Sequence, residues 1–453
     1  MQTHSPKAHR SRLSPPAMIA LGFLLIILIV ALLLMLPVSS AAGAWTDPLS
    51  ALFTATSAVC VTGLIVVDTA THWSLFGRIV LLLAIQIGGL GVMTVLGFAS
   101  MLLGRRIGLR QRTLLQESIA SMQIGGVVRL LRRAVIGTLL IEGLGALLLS
   151  LRFVPMLGAV RGIGYAVFHA VSAFCNAGFD LMGSISGPFT SLESFSADPL
   201  VNLTVMALIL IGGLGFVVWD DLAEHRFHYR KLRLHTRVVL IMTALLTLVP
   251  AALFLLFERS GSMAGMGAVE RILASLFSAV TPRTAGFDTI PTGDLSPAGS
   301  MLTLLLMLIG GNPGSTAGGA KTTTLLLVLL LTAAVLRRRE DVNLMGRRME
   351  QSAVRRACAI VTLYLSLCFI SVLAICAMQP ELPLRDVLLE VFSAINTVGM
   401  STGVTRQLTA PSLLVLIALM YIGRLGSLTF VLLLAGSPHA APVQYPTDKL
   451  LVG

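Results

Sequence analysis

Eight stretches of this 453-residue chain are apolar over lengths that can cross a bilayer: about 17–37, 76–104, 131–151, 200–219, 237–257, 300–336, 357–378 and 411–435. A hydrocarbon core of about 30 Å needs about 20 helical residues, and a segment inside lipid must satisfy its own backbone hydrogen bonds. That requirement selects a bundle of helices. Composition agrees: 55% of residues are hydrophobic, 12% are charged and the mean hydropathy is +0.88. A soluble protein of this size has too little interior to hide so much apolar surface, which excludes most soluble enzymes, secreted scaffolds and disordered proteins. The first stretch follows Lys7, Arg10 and Arg12 as a signal peptide would, but it exceeds the usual apolar length of about 7–15 residues and is expected to stay as a helix. The five cysteines, at 60, 175, 358, 368 and 376, form no C-x-x-C pair and read as free thiols.

The net charge of +12 could suggest nucleic acid, but the basic residues cluster in the connections between apolar blocks, so no nucleic-acid role is expected. The segments before 17, at 105–133, 220–237 and 337–356, and after the last apolar block hold 23 Lys and Arg against 8 Asp and Glu. The alternate connections hold 8 basic against 12 acidic residues. By the positive-inside rule this predicts a multi-pass plasma-membrane protein with both termini cytoplasmic. Arg337, Arg338, Arg339, Arg347 and Arg348 need only this topological role, with a docking surface for a partner or membrane lipid as the alternative.

Each outward connection holds a short Ser/Thr/Ala-rich segment followed by a glycine: Ser50–Leu64, Ala166–Phe179, Ser275–Phe287 and Glu390–Met400. A second signature follows in the next apolar helix, beginning at Ile87-Gly88-Gly89-Leu90-Gly91, Ile211-Gly212-Gly213-Leu214-Gly215, Ile309-Gly310-Gly311 and Ile422-Gly423-Arg424-Leu425-Gly426. The loop glycine lies 25, 34, 24 and 24 residues before the second residue of that signature. The fold expected is therefore an all-α membrane protein of four tandem helix, pore helix, filter loop, helix repeats with fourfold pseudosymmetry around a central pore. The expected units are a tail 1–16, repeats 17–104, 131–222, 236–336 and 356–436, and a tail 437–453.

Irregular backbone at membrane depth is tolerated where protein buries it or where it lines water. Four such loops around one axis can present rings of carbonyl oxygens that replace the hydration shell of a monovalent cation. The short helices precede their loops, so their partially negative C-terminal ends face the axis. The candidate ion-binding residues are Val61, Thr62 and Gly63; Asn176, Ala177 and Gly178; Thr284, Ala285 and Gly286; and Thr397, Val398 and Gly399. Packing glycines recur at three- or four-residue spacing inside long helices, whereas these follow short segments; the I-G-G-L-G set does lie in long helices, and packing is its favoured reading. Asp180 and Asp288 follow filter glycines and read equally as cation-concentrating groups or as backbone hydrogen-bond partners.

The segments VCVTGL, FCNAGFD, TPRTAGFDT and NTVGMSTG, with GGNPGSTAGGAKTTT and the closing YPTDKLLVG, resemble the Trk/Ktr/HKT superfamily of potassium transport proteins over nearly the whole chain. The resemblance is to the Ktr (KtrB) branch, since Trk-type members carry an extra N-terminal helix pair and here one spanning segment precedes the first filter. It implies K⁺ conduction, a homodimeric membrane subunit, and a cytoplasmic ring of KtrA-like regulatory subunits that bind ATP or ADP. No cofactor is expected in this chain; K⁺ is the implied transported ion and Na⁺ a candidate activator. Sodium-selective plant members have Ser at the first filter glycine, here Gly63, which looks like a potassium filter. The filter segments match one another imperfectly, and the fourth is about two residues shorter between its Phe and Gly.

The stretch 300–336 is too long for one crossing, and Gly310, Gly311, Asn312, Pro313, Gly314, Ser315, Thr316, Ala317, Gly318, Gly319 and Ala320 interrupt it. Pro313 and the glycines oppose helix there, and the family resemblance implies that this intramembrane loop is a gate. Gly314 and Gly319 have phosphate-loop spacing, but Ala320 displaces Lys321 from the second glycine and no buried strand precedes the stretch, so a nucleotide site is rejected. Arg424 near mid-membrane is costly unless it faces water or a partner. It is read as a barrier or loop anchor, with an ion pair to Glu142 as the alternative; Lys321 acts similarly or reaches the membrane edge. His169 is read as packed and hydrogen-bonded, and a metal site at His225 and His228 as improbable. A secondary active cation carrier, Na⁺-coupled or Na⁺-transporting, is the rival function, but it predicts inverted repeats. An intramembrane enzyme would need a nucleophile and base that the spans do not supply.

Overall fold

The computed structural model describes residues 15–102, 126–226 and 228–426. Expectations for the tail before 15, for most of the basic loop 105–133, for residues 427–435 of the last apolar stretch and for the tail ending in YPTDKLLVG lie outside the described residues. Almost every element is a helix; among the described residues the only sheet is the hairpin Asn343–Leu344 against Arg347–Arg348.

Four helices are long and apolar enough to cross a membrane individually: Pro15–Met35, Val127–Leu157, Leu234–Phe257 and Gln351–Met378. At about 1.5 Å per residue they extend roughly 30–46 Å. Each turns aliphatic side chains outward, including Leu25, Leu28 and Leu32 on the first and Leu140, Leu144 and Leu147 on the second. Such faces are stable against lipid and unfavourable against water, so the chain is a multi-pass membrane protein.

Two of the expected straight spans differ from the structure. The stretch 76–104 is helical over Leu75–Leu90 and Val92–Leu102, with a bend of 97°, and 200–219 is helical over Pro199–Leu214 and Phe216–Glu224, with a bend of 91°. The hinges are Gly91 and Gly215, at φ +84° and +102°. A side-chain-bearing residue costs about 1–2 kcal/mol in left-handed backbone, and the Gly215 site is further closed by the Pro313 carbonyl. The stretch 300–336 divides into helices Pro297–Leu308 and Thr322–Leu336 with residues 309–321 non-helical between them. The described part of the last span is Ala410–Leu425, ended by Gly426 at φ +84°.

The helices that follow the short segments begin with local signals. Ser74 accepts from the Gly77 N–H; Asp198 caps Leu200 and Val201 with Pro199 behind it; Ser296 caps Gly299 with Pro297 behind it. Side-chain caps satisfy donors that the first turn leaves unpaired and stabilise by about 1 kcal/mol each. The short helices, Pro48–Val59, Ala159–Phe174, Ala268–Val280 and Leu384–Ile395, lie deepest: Phe53–Val59 is buried without interruption. In the first of them Thr54 and Thr56 turn inward without penalty because Thr54 donates to the Ser50 carbonyl and Thr56 to that of Leu52, both at 2.8 Å. The long helices thus form an outer shell, and the core surrounds the C-terminal ends of the short ones.

Candidate functional site

At the end of each short helix the backbone alternates its handedness. Val61 and Gly63 have φ of +53° and +95°, Asn176 and Gly178 +57° and +68°, Thr284 and Gly286 +72° and +77°, and Thr397 and Gly399 +50° and +98°. Thr62, Ala177, Ala285 and Val398, between them, do not. Left-handed φ at a β-branched residue costs on the order of 1–3 kcal/mol and persists only where surroundings enforce it; Val61, Thr284 and Thr397 bear that cost. The enforcing contacts sit behind the loops. The N–H groups of Thr62, Ala177 and Val398 donate at 2.8 Å to the Ser57, Ser172 and Ser393 carbonyls. Gly63 and Gly399 N–H donate at 3.0 Å to the hydroxyls of Ser57 and Ser393. The third loop is held differently, with the Ala285 N–H on the Thr281 carbonyl and the Thr281 hydroxyl on that of Phe287. Backbone donors of the loops are thus taken up by the short helices that precede them.

The four loops also close on one another. A Cβ added to Gly63 would meet the Ala177 carbonyl and Gly178 Cα; one on Gly178 the Ala285 carbonyl and Gly286 Cα; one on Gly286 the Val398 carbonyl and Gly399 Cα; and one on Gly399 the Thr62 carbonyl and Gly63 Cα. The circuit returns to its start. Each position combines positive φ with a neighbouring carbonyl closer than a side chain allows, so glycine is required twice over. Above the circuit lies a cavity of about 280 Å³ bordered by all four glycines.

The signature glycines serve packing as well as bending. Gly88, Gly212 and Gly423 lie against the Val59, Phe174 and Ile395 carbonyls at the short-helix ends, and a Cβ would overlap each. The segment 310–321 crosses beneath those ends. Thr316 donates through its hydroxyl to the Phe174 carbonyl at 3.0 Å and through its N–H to that of Gly212 at 3.3 Å. Asn312 donates from Nδ2 to the Gly213 carbonyl at 2.8 Å and accepts from the Thr322 hydroxyl at 2.9 Å. At its far end the Ala320 N–H donates to Asn396 Oδ1 at 3.3 Å, and Gly318 lies against the Thr397 side chain.

Arg424 donates to the Thr316 carbonyl at 2.5 Å and to the Gly88 and Gly89 carbonyls. The alternative pairing with Glu142 is replaced by carbonyl contacts: Glu142 instead accepts from Gln86 Nε2 at 3.2 Å and from the Cys175 thiol. Lys321 turns inward, its Nζ donating to the Ala317 and Gly318 carbonyls at 2.8 and 3.3 Å. His169 is neutral, since its Nε2 accepts from the Leu181 N–H and its Nδ1 faces the Tyr165 carbonyl.

Near His225 the sequence reading missed two acidic neighbours. Asp221, Glu224 and His225 present ligand atoms within 4.8 Å of one another. Arg233 ion-pairs with both acids at 3.4 and 3.3 Å, so part of their charge is already offset. The buried Asp221 also accepts from the Arg233 N–H, making this a clasp for the turn into the next long helix.

Comparison with known proteins agrees with this architecture. Residues 19–445 match the TrkH family model, described as cation transport protein. The chain is 41% identical to the potassium/sodium uptake protein NtpJ of Enterococcus hirae, with 99% of each chain covered. It is 39% identical to Ktr system potassium uptake protein B of Bacillus subtilis, over 98% of this chain and 97% of that one. Among solved structures, the potassium transporter TrkH from Vibrio parahaemolyticus superposes with a TM-score of 0.70 at 20% identity, covering 94% of this chain and 86% of that one. The chain belongs to the TrkH/Ktr family of membrane cation transport proteins and is not an enzyme.

Proposed function

We propose that the chain is the pore-forming subunit of a potassium uptake system, four pseudosymmetric repeats around one axis, with the carbonyls of residues 61–63, 176–178, 284–286 and 397–399 as its selectivity filter. The observation that carries this reading is the closed circuit in which Gly63, Gly178, Gly286 and Gly399 each abut the next loop's carbonyl. Rings of carbonyls facing the axis, with the negative ends of four short helices behind them, stabilise a dehydrated monovalent cation and disfavour anions.

The gate in this reading is the segment Gly310–Lys321, tied to the second short helix by Thr316, to the fourth by Ala320, and to the first signature through Arg424. Its backbone blocks the path below the filter, and the charge of Arg424 adds an electrostatic barrier. Opening requires these hydrogen bonds to be exchanged for others. A cytoplasmic regulatory ring responding to ATP or ADP supplies that bias, as membership of a Ktr system would require; the relative named Ktr system potassium uptake protein B supports such a partner. A homodimer with cytoplasmic termini and the repeat boundaries given above completes the proposal.

The name potassium/sodium uptake protein of the Enterococcus hirae relative supports a second reading, a sodium-linked carrier. Rubidium uptake into proteoliposomes separates the two. The pore reading expects uptake down an imposed K⁺ gradient without sodium; an absolute dependence on a sodium gradient favours the carrier.

A further inference from the structure

The second repeat spaces its loop glycine from its signature by 34 residues, where the third and fourth use 24. The additional chain does not lengthen the following helix, which starts at Pro199. It forms two 3₁₀ turns, Met182–Ser184 and Glu193–Phe195, joined by a strap that reaches all three other repeats. The Phe189 N–H donates to Asp68 Oδ2 of the first at 2.9 Å. The Leu192 N–H donates to the Asp288 carbonyl of the third at 2.9 Å, and Ser191 Oγ accepts from the Asp288 N–H at 3.0 Å. From the fourth, the Arg406 guanidinium stacks 4.2 Å over the Phe189 ring. Phe189 and Ser191 hold left-handed φ of +66° and +44° between these anchors, a cost that loose surroundings would release.

The strap sets Glu193 in the wall of the 280 Å³ cavity above the four filter glycines, and the same wall carries Arg406. The cavity's other charged groups are Asp180, Asp288 and Asp294. Asp288 Oδ1 is buried without a hydrogen-bond partner among the described residues. Arg406 makes no ion pair among the described residues; its Nε donates to the Gly403 carbonyl at 3.4 Å. Four acidic side chains thus share the recess with one base, Asp180 and Asp288 adding their charge as pH rises through about 7 to 8, and the low-dielectric walls focus the field on whatever enters it. Burial first, and Asp294 second, push the Glu193 carboxyl above the usual range, so Glu193 and Asp294 are near enough to act on one another.

We propose that Glu193 and Arg406 form an opposed charge pair that sets the affinity with which a hydrated monovalent cation is gathered at the mouth. The inference rests on the filter reading given above, because the gathered ion must be the one the glycine ring passes. Neither side chain belongs to the filter, so the pair changes local cation concentration and leaves passage through the filter unchanged.

Initial-rate rubidium uptake into proteoliposomes at low ionic strength tests this. Glu193→Gln is expected to raise KM about two- to fivefold, and Arg406→Gln to lower it by a similar factor. Glu193→Asp and Arg406→Lys retain the wild-type value. Vmax and the K⁺ over Na⁺ preference do not change. Choline chloride at about 1 M, where the screening length falls to about 3 Å, erases both shifts. KM shifts of the same sign in the two neutral variants, no shift in either, persistence in high salt, or a fall in Vmax with unchanged KM would each overturn the proposal. If Arg406→Gln does not fold, Glu193→Gln and its salt dependence decide the question. Gly286→Ser, run alongside, reports on the filter separately: unaltered K⁺ over Na⁺ preference there refutes the filter reading, whatever the KM values show.

Discussion

The guanidinium of Arg424 donates to the main-chain carbonyl of Thr316 at 2.5 Å, joining the last described helix to the loop between the helices Pro297–Leu308 and Thr322–Leu336. The same side chain reaches the Gly88 and Gly89 carbonyls in the helix Leu75–Leu90. One arginine therefore fastens the loop to the helix Leu75–Leu90, and its removal takes away the donor that these carbonyls share.

Arg424→Gln keeps polarity but loses the charge and most of this reach. Hydrogen bonds to charged groups contribute about 1.5–3 kcal/mol, enough to shift a closed-to-open equilibrium about tenfold to a hundredfold. Rubidium flux without any regulatory partner is expected to rise by at least tenfold. An unchanged basal flux would show that Arg424 anchors the loop in the open protein as well.

Asn312 ties the other end of the loop, donating to the Gly213 carbonyl at 2.8 Å and accepting from Thr322 at 2.9 Å. Asn312→Ala removes both bonds and leaves buried partners unsatisfied, a cost of about 1–3 kcal/mol. Basal flux should again rise, with a fall of several degrees in the unfolding temperature in detergent. A variant as tightly shut as the wild type would place the barrier elsewhere.

Two glycine substitutions should part sharply. Gly63→Ala puts a Cβ against the Ala177 carbonyl at φ +95°, and uptake is expected to fall below one hundredth of the wild type. Gly143→Ala, in the helix Val127–Leu157 with no heavy atom within 4 Å of the new Cβ, should transport normally and gain about 0.5–1 kcal/mol of stability. Equal behaviour of the two would mean that contact around the circuit does not matter.

Stability should depend on pH through two carboxyls that line the cavity above the four loop glycines. Burial, with the charges of Asp68 and Glu193 adding to it and a Met182 N–H opposing it, pushes Asp180 up to about 7. Burial, opposed by the Thr292 hydroxyl and reinforced by Glu193 and Asp180, pushes Asp288 up to about 8. Both exceed the ordinary carboxylate range near 4. The folded chain therefore holds more protons than the unfolded chain between about pH 4 and 8, and stability falls as pH rises through that window. The unfolding temperature in detergent should drop by several degrees from pH 5 to pH 8.5, and less in Asp180→Asn/Asp288→Asn. An equal drop in that double variant would assign the dependence to other groups.

Hydropathy alone makes the short segments and the interruption at 310–320 legible, because a stretch too short or too glycine-rich to cross stands out against its neighbours. The bends at Gly91 and Gly215 are not legible. A glycine that packs and a glycine that turns have the same apolar neighbours, and the distinction at Gly215 depends on the distant Pro313 carbonyl. A loop anchor was among the readings of Arg424, but its partners in the helix Leu75–Leu90 were hidden for a related reason: the Gly88 and Gly89 carbonyls become available to it only once the helices are in place. The strain at Val61 and Thr397 was equally invisible, since neither residue type advertises left-handed backbone. The longer spacing between Gly178 and Gly212 could be read from the sequence, and its meaning required the contacts of Phe189 and Leu192.

The central claim, that the four glycine loops select the ion, is tested most directly by competing rubidium uptake with K⁺ and with Na⁺ in proteoliposomes carrying wild type or Gly286→Ser. The account expects K⁺ to compete far better than Na⁺ in the wild type and expects that preference to shrink by about tenfold or more in the variant, as a Cβ at residue 286 displaces the Val398 carbonyl. A variant that still transports with its preference intact would contradict it, and would return these glycines to the role of packing residues.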